Sequence, residues 1–267
     1  MTGMFDDEAL DQEAEEKLDG GGTTDVVRIG TTVRRSSGPA SAAVHRLLTY
    51  LRSAGFTAAP ESLGVDRQGR DVYSYLAGDV GHYPWTDAVA SDDALVSGAR
   101  VLRSYHDATA PVVHQFREGW RQSPIDPVEV MCHNDFAPYN CVYEGSRVVG
   151  IIDFDFAVPG PRRWDLGYAL YRFVPFSRSA EPTAAMDQGR RARLFLEAYG
   201  VSGEPAQQAL ETVAPRLRSL TEFMTSAAEA GDENFARHIA EGHLDHYLSD
   251  LSWIAEHHDV WTSMLAG

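Results

Sequence analysis

The stretch Met131-Cys132-His133-Asn134-Asp135-Phe136-Ala137-Pro138-Tyr139-Asn140 constrains this chain more than any other. Val128–Cys132 ahead of it reads as a short apolar strand. Behind it, Cys141–Tyr143 and Val148–Ile152 read as a hairpin around Glu144-Gly145-Ser146. That hairpin runs into Ile151-Ile152-Asp153-Phe154-Asp155. The pattern H-x-D-x-x-x-x-N therefore sits on a loop between buried strands, with a strand-borne Asp close behind. Given 10 His and the other residue counts of the chain, it would arise by chance only about 0.01 times.

These residue types suit one kind of chemistry. A loop carboxylate at Asp135 can orient a hydroxyl or take its proton. Asn140 offers a neutral oxygen and Asp153 a charged one. Mg2+ takes few protein ligands and completes its shell with water and phosphate oxygens. Phosphoryl transfer asks for such positioning and charge neutralisation more than for covalent chemistry.

The surrounding sequence is that of an ordinary globular chain. Its 267 residues allow one medium domain or two small lobes sharing a cleft. The net charge of -16 argues against general nucleic-acid binding, while leaving cationic substrates open. No apolar run approaches a membrane span, no signal pattern opens the chain, and Cys132 and Cys141 form no redox or disulfide motif. A cytoplasmic protein without nucleic-acid or membrane partners is the expectation.

Residues 1–19 hold eight acids and Lys17 and read as a solvated, disordered tail. Gly20-Gly21-Gly22 follows, a linker or a weak phosphate loop. Val26–Ile29 and Thr31–Arg34 read as strands, 41–53 as a helix, and Pro60–Leu76 as a hairpin about Asp66–Gly69. After a helix at 92–109 and the motif region, helices are expected at 165–173, 183–199, 205–230 and 232–258. The fold class is thus α+β, with a small β-rich lobe at 20–78, a mainly helical lobe at 79–267, and a connector near Tyr75–Val80.

The chain resembles the aminoglycoside phosphotransferase and choline kinase-like family, relatives of the protein kinases in fold. The resemblance rests on His133–Asn140, on Ile152-Asp153-Phe154, and on Pro159–Leu166, which looks like the family's P-x-x-x-D-L segment. Within the family, the His133–Asn140 run is most similar to a bacterial trifolitoxin-immunity-like subgroup. The resemblance implies Mg2+ and ATP or GTP as cofactors and a small-molecule acceptor as partner. It implies that Asp135 is the base or hydroxyl-positioning group, that Asn140 and Asp153 hold Mg2+, and that His133 and Asp165 support the loop. It further implies that Gly21 and Gly22 cover the phosphates, that Arg34 or Arg35 replaces a phosphate-binding Lys, and that Tyr75 lies near the adenine.

Three departures stand out. Asn134 replaces the family's Gly; no Lys lies on the Thr31–Arg35 strand; and Ser36–Gly55 holds no acid to pair with one. The absent Lys and the absent helix acid favour a rival expectation, a kinase-shaped binding or immunity protein that sequesters a toxin or antibiotic, while the intact Asp135, Asn140 and Asp153 oppose it. The histidines between His238 and His258 lack the carboxylate or Cys framework of a metal site. The acceptor and the oligomeric state are not legible.

Overall fold

The computed structural model describes residues 14–18, 26–177 and 185–265. Gly21 and Gly22 lie outside the described residues, as does most of the expected tail. The described part of that tail is not free: Glu16–Lys17 forms β1, paired antiparallel with β2 (Val26–Ile29).

The first lobe is an antiparallel sheet in the order β1-β2-β3-β5-β4. Gly30, at φ 58°, turns β2 into β3 (Thr32–Ser36). β4 (Ser62–Val65) and β5 (Arg70–Ser74) flank the expected turn. Asp66 shapes that turn, its Oδ1 accepting the amides of Gln68 and Arg70, each at 2.9 Å. The helix α1 (Ser41–Ser53) buries Val44, Leu47, Leu48 and Leu51, the i, i+3, i+4, i+7 stripe read from sequence. His45 of α1 stacks on Tyr73 at 5.0 Å and contacts buried Asp71 at 3.1 Å, fastening the helix to the sheet.

The connector enters the second lobe as β6 (Asp79–Val80), hydrogen-bonded to β8 (Cys141–Glu144). β8 continues into β9 (Arg147–Ile151), and β7 (Val130–Cys132) pairs instead with β10 (Val158–Gly160). Helices α2 (Asp87–Ala90) and α3 (Asp92–Thr109) precede these strands. Ser91 caps α3 by accepting the Ala94 amide, as its position before an acidic first turn favours.

After β10 the chain is helical, with three differences from the sequence reading. Helix α4 spans Arg162–Phe173 and so begins three residues ahead of Asp165. The expected 205–230 helix is two, α6 (Glu204–Glu211) and α7 (Val213–Glu229). Pro215 explains the break: it cannot donate to the Glu211 carbonyl and its ring crowds that oxygen. The expected 232–258 helix is also two, α8 (Glu233–Ala240) and α9 (His243–Leu265), because Gly242 sits at φ 87°. Between Phe173 and α6 lies α5 (Ala185–Tyr199). Among the described residues no helix is long and apolar enough to cross a membrane.

Gly78 is the tightest point of the connector. Its φ is +143°, and a Cβ there would stand 2.5 Å from the Tyr143 backbone oxygen. Gly78→Ala is expected to cost about 2–3 kcal/mol, through backbone strain and displacement of β6 from β8. Urea unfolding of the variant checks this.

Candidate active site

The loop that carries Asp135 is held from behind by one buried carboxylate. Asp165, in the first turn of α4, accepts the His133 amide at 2.6 Å and the Asn134 amide at 2.8 Å. It also accepts the His106 Nε2 proton at 2.9 Å, while His106 Nδ1 faces the Tyr199 hydroxyl at 2.7 Å. Pro161 occupies the N-cap of α4, and Asp165 sits buried in the first turn, under the loop. Burial raises its pKa, but the hydrogen bonds it accepts, that from His106 foremost, outweigh burial and hold it below the ordinary carboxylate value. Burial dominates at His106 and lowers its pKa despite the Asp165 hydrogen bond, so the ring is neutral.

His133 donates from Nε2 to the Ile152 carbonyl at 3.0 Å and packs on Phe154 at 4.9 Å. It joins the loop to the end of β9 and touches no solvent-facing group, a structural place. Asn134 adopts φ 63°, the left-handed backbone that Asn tolerates better than other non-glycine residues. Its side chain adds what Gly could not: it donates to Gln122 and accepts from Trp164 Nε1 at 3.2 Å.

These supports leave Asp135 half-buried at the loop's open side. Tyr139 Oη donates to its Oδ1 at 2.9 Å, and Asn140 Nδ2 donates to its Oδ2 at 2.8 Å. Asn140 Nδ2 also reaches the Asp135 carbonyl, so the amide nitrogen is committed to the loop and the amide oxygen remains for another partner. Asp153, beyond β9, is exposed and at φ 65°. Asn140 and Asp153 line the same cavity of about 240 Å³ between the lobes.

The opposite wall comes from the β-sheet. Alternation along β3 puts Val33 and Arg35 on the cavity side and Arg34 on the other. Arg34 lies beside Asp66 at 3.6 Å, almost fully buried, so of the two candidate arginines only Arg35 faces the cleft. Arg35 reaches across to Asp153 at 3.3 Å and makes a short ion pair with Asp155. Burial opposes the Arg35 charge, yet the two carboxylates, Asp155 foremost, more than offset it and raise its pKa. Burial in turn lifts Asp155 above the ordinary carboxylate range although Arg35 pulls it down. The acid missing from α1 is thus supplied from the other lobe. Asp155, two residues beyond Asp153, thus also lines the cavity. Tyr75 lines the cavity, and the Arg28 guanidinium covers its ring at 4.1 Å.

The oxygens of Asn140 and Asp153 fit a hard cation. Among the described residues no group of three or more His, Cys, Asp or Glu could hold a metal.

The architecture and site define a two-lobed, kinase-like phosphotransferase fold. The model of the phosphotransferase enzyme family matches residues 115–202, the segment spanning the loop, Asp153 and α4. The trifolitoxin immunity protein of Rhizobium leguminosarum bv. trifolii is 34% identical over 200 residues, 69% of this chain and 74% of that protein. Choline kinase from Cryptosporidium parvum superposes with a TM-score of 0.61 at 12% identity, covering 94% of this chain and 93% of the other. Amicoumacin kinase, in complex with AMP-PNP, Ca2+ and amicoumacin, superposes with a TM-score of 0.60 at 13% identity, covering 90% of each. The chain belongs to the phosphotransferase enzyme family.

The Asp165–His106 pair has a pH consequence. Native His106 refuses a proton that its unfolded form accepts, so stability is expected to fall as pH drops below about 6.5. Native Asp165 stays charged below its unfolded pKa, so a further loss is expected below about 4. Urea melts across pH check both, with His106→Asn removing most of the upper phase.

Proposed function

We propose that this protein transfers the γ-phosphate of ATP or GTP to a hydroxyl of a small molecule. The observation that carries the reading is the convergence of Asn140, Asp153 and Arg35 on one inter-lobe cleft, with Asp135 hydrogen-bonded to Asn140 at its edge. Amicoumacin kinase, of like fold, is in complex with AMP-PNP and Ca2+, which supports a nucleotide and a divalent cation here.

Asn140 and Asp153 would hold Mg2+, which supplies charge neutralisation to the phosphates. Tyr75 and the apolar wall of the cleft, Val26, Val33 and Leu76 among its residues, receive the base. Arg35 trades its carboxylate partners for phosphate oxygens as nucleotide enters, since a guanidinium binds either acceptor in the same forked geometry. Asp135 orients the acceptor hydroxyl and takes its proton, its own position set by Tyr139 and Asn140.

A second reading, a binding protein that sequesters a toxin without transfer, is favoured by the 34% identity to the trifolitoxin immunity protein and by the absence of a lysine on β3. Titration calorimetry with ATP and GTP, with and without Mg2+, separates the two. The phosphotransferase reading expects Mg2+-dependent nucleotide binding that Asp153→Ala weakens by at least about tenfold. Nucleotide binding absent at millimolar concentration refutes it.

Asp135→Ala is expected to lower transfer by about 10²–10⁴-fold, the usual worth of a positioned general base, with nucleotide affinity unchanged. Radiolabelled phosphate transfer measures the first and calorimetry the second. Undiminished turnover in the variant removes Asp135 from the reaction.

A further inference from the structure

Beside Asp135, away from the nucleotide cleft, lies a second polar cluster that the phosphotransferase reading has not used. Arg172 of α4 projects among tyrosines. Its guanidinium carbon stands 5.5 Å from the Tyr139 ring centre, 5.2 Å from Tyr168, 4.9 Å from Tyr171 and 5.4 Å from Tyr247. Its Nε donates to the Tyr168 hydroxyl at 3.0 Å and its Nη2 to the Tyr247 hydroxyl at 2.9 Å. Its partners among the described residues are aromatic hydroxyls and ring faces, with no carboxylate within ion-pair distance. The nearby Asp250 carboxylate is engaged elsewhere, accepting from Tyr171 at 2.7 Å and facing His246 at 3.2 Å.

A guanidinium has five N–H donors, so donors remain on Arg172. Arg172 and Tyr247 are only half-buried, and the exposed Tyr83, stacked on Trp85 at 5.3 Å, adds a third hydroxyl in hydrogen-bond contact with Arg172. On the far side of Tyr168 a second guanidinium, Arg216, stands 4.6 Å from the ring centre and donates to the Asn134 carbonyl at 2.6 Å. Arg216 is buried, and its Nε has no hydrogen-bond partner among the described residues. Two cations thus flank Tyr168, with Asp135 as the carboxylate of the loop beside them.

Hydroxyls link the two ends. Arg172 Nε meets Tyr168 Oη, Tyr168 Oη meets Tyr139 Oη at 2.9 Å, and Tyr139 Oη meets Asp135 Oδ1 at 2.9 Å. A molecule with an anionic group on Arg172 would therefore place atoms only a few bonds away within reach of Asp135. A cationic group there would meet a charge of its own sign, and Arg172 already occupies the tyrosine faces.

We infer that the acceptor is a small hydroxy acid, held by a carboxylate on Arg172 with its hydroxyl directed to Asp135, and not a cationic amine. The inference rests on the phosphotransferase reading for the fate of the hydroxyl, but the binding preference itself does not need nucleotide.

The test uses the full chain without nucleotide, with ligand-observed NMR as the readout. The probes are glycerate, N-acetylserine and N-acetylhomoserine, the carboxamides of each, and choline. At least one carboxylate is expected to bind in the millimolar range, about tenfold or more tighter than its carboxamide, with choline weaker still. Arg172→Met should abolish that preference, and Arg172→Lys should keep it at reduced affinity. Circular dichroism reports folding; if Arg172→Met fails to fold, Arg172→Lys and Tyr247→Phe decide, each expected to weaken the carboxylate more than its carboxamide. No binding by any carboxylate, equal binding by carboxamide or choline, or a preference untouched by the variants overturns the inference. A separate ATP titration keeps the two readings distinguishable: a carboxylate preference without nucleotide binding removes the kinase and leaves this site, and the reverse leaves the kinase with a different acceptor.

Discussion

The carboxylate of Asp165 is the interaction on which the rest of the site depends. Burying an unpaired carboxylate costs several kcal/mol, so the group must be fully hydrogen-bonded to be kept there. It is: two loop amides and the His106 ring donate to it. Hydrogen bonds to a charged group are worth about 1.5–3 kcal/mol each, enough to hold the backbone of His133 and Asn134 in one conformation. That conformation includes the left-handed turn at Asn134, and the turn aims Asp135 outward. The same carboxylate joins α3, α4 and the loop, so the reacting edge is built on the packing of the helical lobe.

A second constraint crosses the cleft. Arg35 on the sheet meets Asp153 and Asp155 on the other lobe, tying the two walls through charge rather than apolar contact. Kinase-like folds need a cation above the phosphates and something to hold it. In the proposed reading that cation is Arg35, and its holder is Asp155, two residues beyond the proposed metal ligand. Because a guanidinium binds carboxylate and phosphate oxygens in the same forked geometry, the proposed reading has Arg35 leave these acids for the phosphates.

The legibility of these parts follows from how local they are. The catalytic loop, the β8–β9 hairpin and α1 were visible because each is specified within a dozen residues by alternation, a turn or a 3.6-residue stripe. The two long helices that proved to be four were misread because apolar periodicity continues across a break; Pro215 and Gly242 were the local signs. Arg34 and Arg35 could not be told apart until β3 had a register, since one residue of shift exchanges the faces.

The sequence by itself determined the class of fold and the chemical groups at its centre: Asp135, Asn140 and Asp153 sit in a spacing that local strand and loop geometry alone brings near one edge. Only the tertiary structure decided which arginine enters the cleft, that Asp155 rather than a residue of α1 pairs with it, and that Arg172 is joined to Asp135 through the hydroxyls of Tyr168 and Tyr139. Those contacts join residues tens to more than a hundred positions apart. No periodicity encodes such a meeting; it is settled by how helices and sheet pack, where every buried charge must find a partner.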